Sequence, residues 1–205
     1  MLNSRQIVRA SYNKIASEYE ATRKHDSEDV QLLRKLLERL SRNSTVLDAG
    51  SGSGYPVTQF LALHFQVTAI DFALEQIRLA KDRVRGVEFV CADITKLPIR
   101  PNTFDAVCSY YAVIHIPRKE HQKVLDSFLN ILKPGGLALL CTGAGDLPRD
   151  KSRYHGVPMF WSHFDRETNL RMIRDTGLRI LWSKTIVDPT NPTSAHLFVF
   201  AQKRE

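Results

Sequence analysis

The chain has 205 residues, of which 43% are hydrophobic and 25% charged, and a formal net charge of +7. This length suits one α/β domain and is too short for two sizeable ones. The sequence contains no apolar run of the ~20 residues that span a membrane, and residues 1–19 lack the apolar stretch of a secretory signal, so we expect a cytoplasmic protein.

Helices are predicted first, at residues 4–22 and about 28–41, where apolar residues recur at helical spacing. Strands and helices then alternate. The predicted strands are 45–49, 66–70, 87–91, 104–109 and 137–142, and the predicted helices are 56–64, 73–84, 118–132 and 166–176. Residues 143–165 are predicted as a long loop, and two last strands, about 179–187 and 195–202, flank a turn-rich stretch.

This order predicts the fold class. Strands that alternate with helices through short links pair in parallel with right-handed crossovers. The last two strands have no helix between them and should form a hairpin, which makes the last strand antiparallel to its neighbours. The sequence therefore predicts a doubly wound α/β fold in one domain over residues 1–205, with a seven-stranded, mostly parallel sheet and helices on both faces.

The stretch from Val46 to Gly54 is the most informative one in the chain, because three glycines fall on alternate residues after Asp48. Glycine allows a positive φ and lets a ligand approach the backbone. A nicotinamide-binding G-x-G-x-x-G turn would need its third glycine at position 55, which is Tyr55. A phosphate-binding P-loop would need Gly-Lys-Ser/Thr, which is absent.

Four further features follow at or beside the strands. Asp71 closes the second strand, Asp93 follows the third, and Phe104–Tyr110 forms the fourth, with Leu132–Gly136 leading into the fifth. Together with the acid and glycine turn, they resemble the class I S-adenosylmethionine-dependent methyltransferases, in particular small single-domain members of the type 11/25 kind. The resemblance implies a Rossmann-like methyltransferase fold and S-adenosylmethionine as cofactor, with S-adenosylhomocysteine as product.

The resemblance also implies site roles. Asp71 would accept the ribose hydroxyls and Asp93 the adenine amino group, although either acid alone could cap a helix or turn. The expected cofactor-binding residues are Tyr12, Tyr19, Asp48, Gly50, Ser51, Gly52, Gly54, Asp71, Phe72, Asp93, Ile94 and Ser109. Residues 1–43 would form a helical lid, 44–145 the cofactor-binding core, and 146–205 a substrate-side loop, helix and hairpin.

Three segments are expected around the methyl group. In the first, Tyr12 and Tyr19 either contact ligand or only pack the N-terminal helix. In the second, residues 109–117, His115 is the best-placed base, because a neutral imidazole can take a proton near pH 7; it could equally hold the loop. We expect His115 and Tyr19 as catalytic candidates. The loop at 154–164 is rich in aromatics and histidines and reads as a pocket wall or a cluster covering the sheet edge. The expected substrate residues are Tyr110, Tyr154, His155, Trp161 and His163.

Several acceptor chemistries are disfavoured. The motif Asn/Asp-Pro-Pro-Tyr/Phe, which is typical of amino methylation of nucleobases, is absent after the fourth strand. Methylation at C5 of cytosine needs a nucleophilic cysteine in the loop after that strand, whereas Cys108 lies inside the strand. No carboxylate cluster indicates a metal, and His25, His64, His121 and His196 look like surface or packing residues. We therefore expect metal-free, in-line methyl transfer to O, N, S or C of a small molecule.

Other functions stay open. The net charge makes RNA a possible acceptor, but the basic residues are scattered among acids without a block of like charge. A protein acceptor, or a non-catalytic role as a cofactor-binding subunit, is also compatible with the sequence. Cys91, Cys108 and Cys141 lie in or at the ends of predicted strands without C-x-x-C spacing, and we expect buried, reduced thiols. The sequence does not indicate the acceptor or the oligomeric state.

Overall fold

The structure, a computed structural model, describes residues 2–205. Its strands are β1 (Thr45–Ala49), β2 (Gln66–Asp71), β3 (Glu88–Cys91), β4 (Phe104–Ser109), β5 (Leu132–Gly143), β6 (Leu147–Asp150), β7 (Arg153–Tyr154), β8 (Val157–Pro158), β9 (Trp161–His163), β10 (Leu178–Asp188) and β11 (Asn191–Lys203). Its α-helices are α1 (Ser4–Lys14), α2 (Ala16–Thr22), α3 (Glu28–Gln31), α4 (Arg34–Leu37), α5 (Val57–Ala62), α6 (Leu74–Arg83), α7 (His121–Ile131) and α8 (Arg166–Asp175).

Seven strands form the central sheet, in the order β10-β11-β5-β4-β1-β2-β3. The pairs among β1 to β5 are parallel, whereas β11 is antiparallel to both β5 and β10. The predicted seven-stranded sheet with an antiparallel last strand is therefore confirmed. Strand order reverses between β1 and β4, which is where ligands of such sheets bind.

The hydrophobic core lies on both sides of this sheet. Successive side chains of a strand point to opposite faces. Val46 accordingly belongs to one apolar cluster, with Cys108 and Phe198, while Leu47 belongs to the other, with Val107. Because β1 is buried on both faces after Thr45, the residues that follow, Val46 and Leu47, are apolar up to Asp48, whose carboxylate comes near the end that carries the site.

The N-terminal segment departs from the prediction in two places. The helix predicted at 4–22 is divided at Ile15, whose φ of −102° and ψ of 13° are not helical. The single helix predicted at 28–41 is wrong: α3 and α4 are short helices joined by hydrogen bonds of the i→i+3 kind. Val30, Leu33 and Leu36 are the buried apolar residues, and their spacing of three fits the tighter turn better than an α-helix.

The prediction of a long loop at residues 143–165 is wrong: β5 extends to Gly143, and the residues after it include two small strand pairs. Strand β6 pairs with β9, and β7 pairs with β8. Met159 and Phe160 from this segment pack against Val8 and Ile15 of the N-terminal helices in a third apolar cluster. The segment and the N-terminal helices thus cover the same end of the sheet.

Two of the three thiols are buried as expected, at Cys108 and Cys141, but Cys91 is exposed. The expectation was wrong for Cys91 because β3 is the edge strand of the sheet, with only Phe89 of its four residues buried. Within residues 2–205, no helix has the length and apolar character needed to cross a membrane.

Candidate active site

A cavity lies at the carboxyl ends of β1, β2 and β4, beneath the N-terminal helices; we call it the first cavity. Most of the expected cofactor residues line it, together with two residues expected at the catalytic or substrate position. These are Tyr12, Tyr19, Asp48, Gly50, Ser51, Gly52, Asp71, Phe72, Asp93 and Ile94, with Tyr110 and His115. The cavity therefore brings together residues that are distant in the sequence, such as Tyr12 and His115, which are 103 positions apart.

The glycine turn wraps around the end of β2. The N–H groups of Gly50 and Ser51 both donate to the carbonyl oxygen of Ile70, at 2.8 and 2.9 Å. Gly50 has a φ of +89°, and a Cβ built on it would lie 2.2 Å from Cβ of Ala112, so this position requires glycine. The missing side chain lets the turn after β1 pack directly on the turn after β4.

Asp71 fixes the same turn from the end of β2. Its two carboxylate oxygens accept from the N–H groups of Gly52, at 3.0 Å, and Ala73, at 2.8 Å. Burial raises the pKa of Asp71 to about 6, against the lowering effect of these hydrogen bonds. Each oxygen retains a lone pair for a ligand hydroxyl.

Asp48 is a second buried carboxylate in the first cavity. Its Oδ2 accepts from the Thr58 hydroxyl at 2.6 Å, while its Oδ1 is buried without a hydrogen-bond partner within residues 2–205. Burial raises the pKa of Asp48 to about 7. An unpartnered buried oxygen is costly, and a bound ligand with an N–H or O–H donor would relieve that cost.

Asp93 joins the third strand end to the N-terminal helix. Its Oδ1 accepts from the N–H of Thr95 at 2.8 Å, and its Oδ2 lies 3.5 Å from Nε of Arg5. Arg5 also pairs with Glu120. Helix α1 is thus attached by charge to the side of the cavity formed by Asp93 and Ile94.

Tyr12 and His115 form a hydrogen-bonded pair in the cavity wall. The Tyr12 hydroxyl lies 2.9 Å from His115 Nε2, and His115 Nδ1 lies 2.7 Å from the carbonyl oxygen of Phe160. A carbonyl only accepts, so Nδ1 carries the proton and Nε2 accepts from the tyrosine. Burial lowers the pKa of His115 to about 4, and the imidazole is therefore neutral at pH 7.

A second cavity adjoins the first and shares part of its wall. Tyr12, Tyr19, Arg23, Tyr111 and His115 line both cavities. The expected substrate residues Tyr154, Trp161 and His163 line the second cavity, together with Asp188 and His196. Two molecules bound in the two cavities would therefore approach one another at the shared wall.

Three expected site residues lie away from both cavities. A Cβ on Gly54 would contact Val84 and Ala80, so this glycine faces the core behind the turn. Ser109 is fully buried and donates to the carbonyl oxygen of Ala49 at 2.8 Å, joining the ends of β4 and β1. His155 lies in the turn between β7 and β8 with a φ of +45°. These placements give Gly54 and Ser109 architectural roles, because their contacts are with protein rather than with a cavity.

Sequence reasoning passed over Arg23 and Asp29. Nη2 of Arg23 lies 3.0 Å from Oδ2 of Asp29, and both side chains are buried. The guanidinium carbon lies 4.6 Å from the ring centroid of Tyr111, whose hydroxyl donates to the same carboxylate oxygen at 2.9 Å. Arg23 directly follows α2, four positions after Tyr19, and this spacing was the available signal. Asp29 carried none.

His196, which we expected on the surface or in packing, is 5% exposed and pairs with Asp188 across the hairpin at 3.1 Å. Both residues come from the turn-proximal ends of β10 and β11. Within residues 2–205, no group of three or more His, Cys, Asp or Glu side chains is arranged to hold a metal ion.

Comparisons with known proteins agree with this architecture. Residues 46–136 match the sequence model of the methyltransferase domain family. Malonyl-[acyl-carrier protein] O-methyltransferase of Pseudescherichia vulneris is 33% identical over 159 residues, covering 76% of this chain and 61% of that protein. The chain spans less than two thirds of the length of the curated relatives it matches.

Solved structures match the fold over nearly the whole chain. The 1,6-didemethyltoxoflavin-N1-methyltransferase of Burkholderia thailandensis, with bound S-adenosylhomocysteine, superposes with a TM-score of 0.76 at 20% identity, covering 100% of this chain and 92% of that one. The [4+2]-cyclase SpnF also superposes, with a TM-score of 0.73 at 18% identity over 98% and 96% of the two chains. A shared fold thus does not fix the reaction. Residues 46–136 of this chain therefore match the methyltransferase domain family, and the chain has the fold of S-adenosylmethionine-dependent methyltransferases.

Proposed function

We propose that this protein transfers a methyl group from S-adenosylmethionine, bound in the first cavity, to a small-molecule acceptor bound in the second. The single observation that carries the proposal is the shared wall of the two cavities, formed by Tyr12, Tyr19, Arg23, Tyr111 and His115. Two ligands in adjoining cavities meet at that wall, which is the requirement of a direct transfer. The family match over residues 46–136 supports the choice of cofactor.

The residues of the first cavity fit this cofactor. Carboxylates at Asp48, Asp71 and Asp93 can accept from hydroxyl and amino groups and favour a positively charged sulfonium. Oδ1 of Asp48, buried without a partner within residues 2–205, is an acceptor that a ligand donor would satisfy. Asp71 would hold the ribose hydroxyls and Asp93 the adenine amino group.

Arg23 would hold the carboxylate of the cofactor. Hydrogen bonds within residues 2–205 use only its Nη2, and its side chain is buried between the two cavities. A guanidinium offers five N–H donors in a planar fork that suits a carboxylate. Arg23 is the one lysine or arginine that is buried within residues 2–205, so a cofactor carboxylate would find its donors there.

When bound, the cofactor supplies an electrophilic methyl group on a good leaving group. The protein then has to orient the acceptor and exclude water, which can be worth several kcal/mol. The cluster of Val8, Ile15, Met159 and Phe160 closes the site from above. Tyr12 and His115 present a neutral, hydrogen-bonded pair at the shared wall, where His115 could receive a proton only by giving up its bond from Tyr12.

We propose the corresponding division of the chain. Residues 1–43 form the lid, residues 44–145 bind the cofactor, and residues 146–205 form the acceptor side. The contacts that support it are those of α1 with β8 and of the aromatic rings of Tyr19 and Tyr154, whose centroids are 6.2 Å apart. The lid therefore closes against the acceptor side as well as on the core. A cytoplasmic location stays a prediction.

Titration calorimetry with S-adenosylmethionine and S-adenosylhomocysteine tests the cofactor. We expect binding by the native protein and loss of binding in Asp71→Ala, with Asp126→Ala, an exposed carboxylate on α7, as the matched control. Absence of binding at millimolar cofactor, or equal binding by both variants, would refute the cofactor assignment.

Methyl transfer from radiolabelled cofactor tests the acceptor. Malonyl-acyl carrier protein, demethylmenaquinone and 1,6-didemethyltoxoflavin represent O, C and N acceptors, and total RNA represents the macromolecular alternative. Transfer to a small molecule is the expected result. Transfer to RNA or to a carrier-free protein, or cofactor binding without any transfer to a broad metabolite extract, would replace the proposal by the corresponding alternative.

A further inference from the structure

The second cavity is lined by His196, a histidine that has no role in the methyl transfer proposed above. His196 lines this cavity from β11 and is 95% buried, at 5% exposure. Its Nε2 lies 3.1 Å from Oδ2 of Asp188, and its Nδ1 is buried without a hydrogen-bond partner within residues 2–205. A buried ring nitrogen without a partner in a cavity wall indicates a polar group supplied by a ligand.

The hydrogen bonds of Asp188 determine which nitrogen carries the proton. Oδ1 of Asp188 accepts from both the N–H and the hydroxyl of Thr190, each at 2.7 Å. Hydrogen bonds from His196 and Thr190 hold the pKa of Asp188 at about 2, so the carboxylate is ionised and can only accept. Nε2 of a neutral His196 is therefore the protonated nitrogen, and Nδ1 holds the free lone pair.

This arrangement differs from that of the other two histidines of the cavity. His115 has both ring nitrogens engaged, by Tyr12 and by the Phe160 carbonyl. His163 donates from Nδ1 to the carbonyl oxygen of Gly145 at 2.7 Å and has no carboxylate partner. Only His196 of these three combines an unpartnered nitrogen with a carboxylate that would stabilise an imidazolium.

The titratable and charged groups around His196 come from several elements, including Asp150 on β6 and Arg153 on β7, which line the same cavity. Asp188 lies on β10, His163 on β9, and the ring of Tyr111, after β4, approaches edge-on with centroids 4.9 Å apart. His115 and Arg23 complete the shared wall, and Asp29 neutralises Arg23. Asp188 is thus the carboxylate in direct contact with the imidazole of His196.

One part of the remaining wall is aromatic, whereas the rest includes Leu147, Asp150, Ser152, Arg153, Asn191 and Ser194. The rings of Tyr154 and Trp161 meet at 5.9 Å in an edge arrangement, and Trp161 lies 5.8 Å from the ring of His115. Tyr19 and Tyr111 close the side towards the first cavity. Such walls suit a planar ring, because aromatic faces and edges pack favourably on one another.

We infer that the acceptor is an aromatic or heteroaromatic ring bearing an O–H or N–H group, and that Nδ1 of His196 receives its proton. The O–H or N–H bond breaks, the electron pair stays on the acceptor atom, and the resulting imidazolium is balanced by Asp188. The inference rests on the proposed function for the place of the acceptor. It assigns the proton-accepting role to His196 in place of His115.

The experiment uses 4-nitrophenol as the probe, because its phenolate has a visible absorbance that the phenol lacks. The full chain, alone and with saturating S-adenosylhomocysteine, is titrated with 4-nitrophenol in a buffer below the pKa of the free phenol. We expect a phenolate band on binding, and a loss of at least about tenfold in the bound phenolate-to-phenol ratio in His196→Gln, equivalent to a shift of about one pKa unit. Asp188→Asn should weaken the band in the same direction.

His64→Gln, at a histidine that lines neither cavity, is the matched control and should retain the band. Circular dichroism and S-adenosylhomocysteine calorimetry establish that each variant is folded; a variant that fails this test is replaced by His196→Asn. An undiminished band in His196→Gln, loss of the band in His64→Gln, or no probe binding at millimolar concentration overturns the inference. Failure of S-adenosylhomocysteine to bind would instead count against the proposed function, because the titration without cofactor still reports on His196.

Discussion

The hydroxyl of Tyr12 and Nε2 of His115 lie 2.9 Å apart, and this bond joins the N-terminal helix to the turn that follows β4. His115 continues the connection through Nδ1 to the carbonyl oxygen of Phe160, in the segment between β8 and β9. One imidazole therefore holds together three segments that are distant in sequence. Because it is neutral and fully bonded, it serves first as a structural link across the top of the site.

Replacing Tyr12 with Phe should break this link. The variant leaves Nε2 of His115 buried without a donor, and we expect the free energy of unfolding to fall by about 1–3 kcal/mol. Urea denaturation measures the change. Tyr55→Phe removes a hydroxyl with only a long, exposed contact to His25 at 3.4 Å and serves as the control. Equal stability of Tyr12→Phe and the native protein would contradict the structural role.

Asp48 predicts a pH dependence of stability. The pKa of Asp48 is about 7 in the folded protein, compared with an ordinary value of 3.8. Between these two pH values, the folded state therefore binds more protons than the unfolded state. The free energy of unfolding should therefore fall as pH rises from about 4 to about 7. Asp71, with a raised pKa of about 6, acts in the same direction.

Asp48→Asn should remove the contribution of Asp48 to that slope. We expect the variant to be more stable than the native protein at about pH 8 and to lose this advantage near pH 4, because the charged form is the one that burial disfavours. Urea denaturation at both pH values checks this, with Asp126→Asn as the exposed control. If the stability advantage of Asp48→Asn over the native protein grows as the pH falls, the predicted direction of the pH dependence is wrong.

The Arg23–Asp29 pair should show the asymmetry of buried charges. Asp29→Asn leaves the guanidinium without its counter-charge, and we expect a loss of about 3–5 kcal/mol in the free energy of unfolding. The double variant Arg23→Met with Asp29→Leu should recover much of this stability but bind S-adenosylmethionine more weakly. Denaturation and calorimetry measure the two effects separately.

Lys35→Ala is the control for this pair, because its partner Glu38 is exposed and the expected change is below about 1 kcal/mol. If the double variant binds the cofactor with full affinity, Arg23 does not contribute to cofactor binding. If Asp29→Asn lowers the free energy of unfolding no more than Lys35→Ala does, the loss of the counter-charge at Arg23 has no large cost, which contradicts the prediction.

Gly50 should tolerate no side chain. Gly50→Ala combines a positive φ, at about 1–2 kcal/mol, with a collision with Ala112, at about 1–3 kcal/mol more. Gly86 has a φ of +75° but nothing within 4 Å of a built Cβ, so Gly86→Ala should cost only the first of these amounts. Comparing the two by urea denaturation isolates the collision, and similar losses would argue against the close packing of the turns after β1 and β4.

The elements whose residues interact locally could be predicted closely. Strand β4 lies at 104–109 as expected, and the glycine turn follows β1 where the pattern of glycines indicated. Alternation and turn residues act over a few positions, so the sequence exposes them directly. The helix expected at 28–41 failed because buried residues spaced by three, at Val30, Leu33 and Leu36, were counted as an α-helical pattern.

The site divides in the same way. By itself, the sequence determined the parallel sheet, the edge at which a ligand binds, and the carboxylates at Asp48, Asp71 and Asp93, because the end of each strand fixes where its next residue lies. Only the tertiary structure decided that Tyr12 donates to His115, that Arg23 is neutralised by Asp29, and that Asp188 holds His196 beside the second cavity. Those pairs depend on how separate segments pack and on which polar atoms lose water there, and neither is encoded in local spacing.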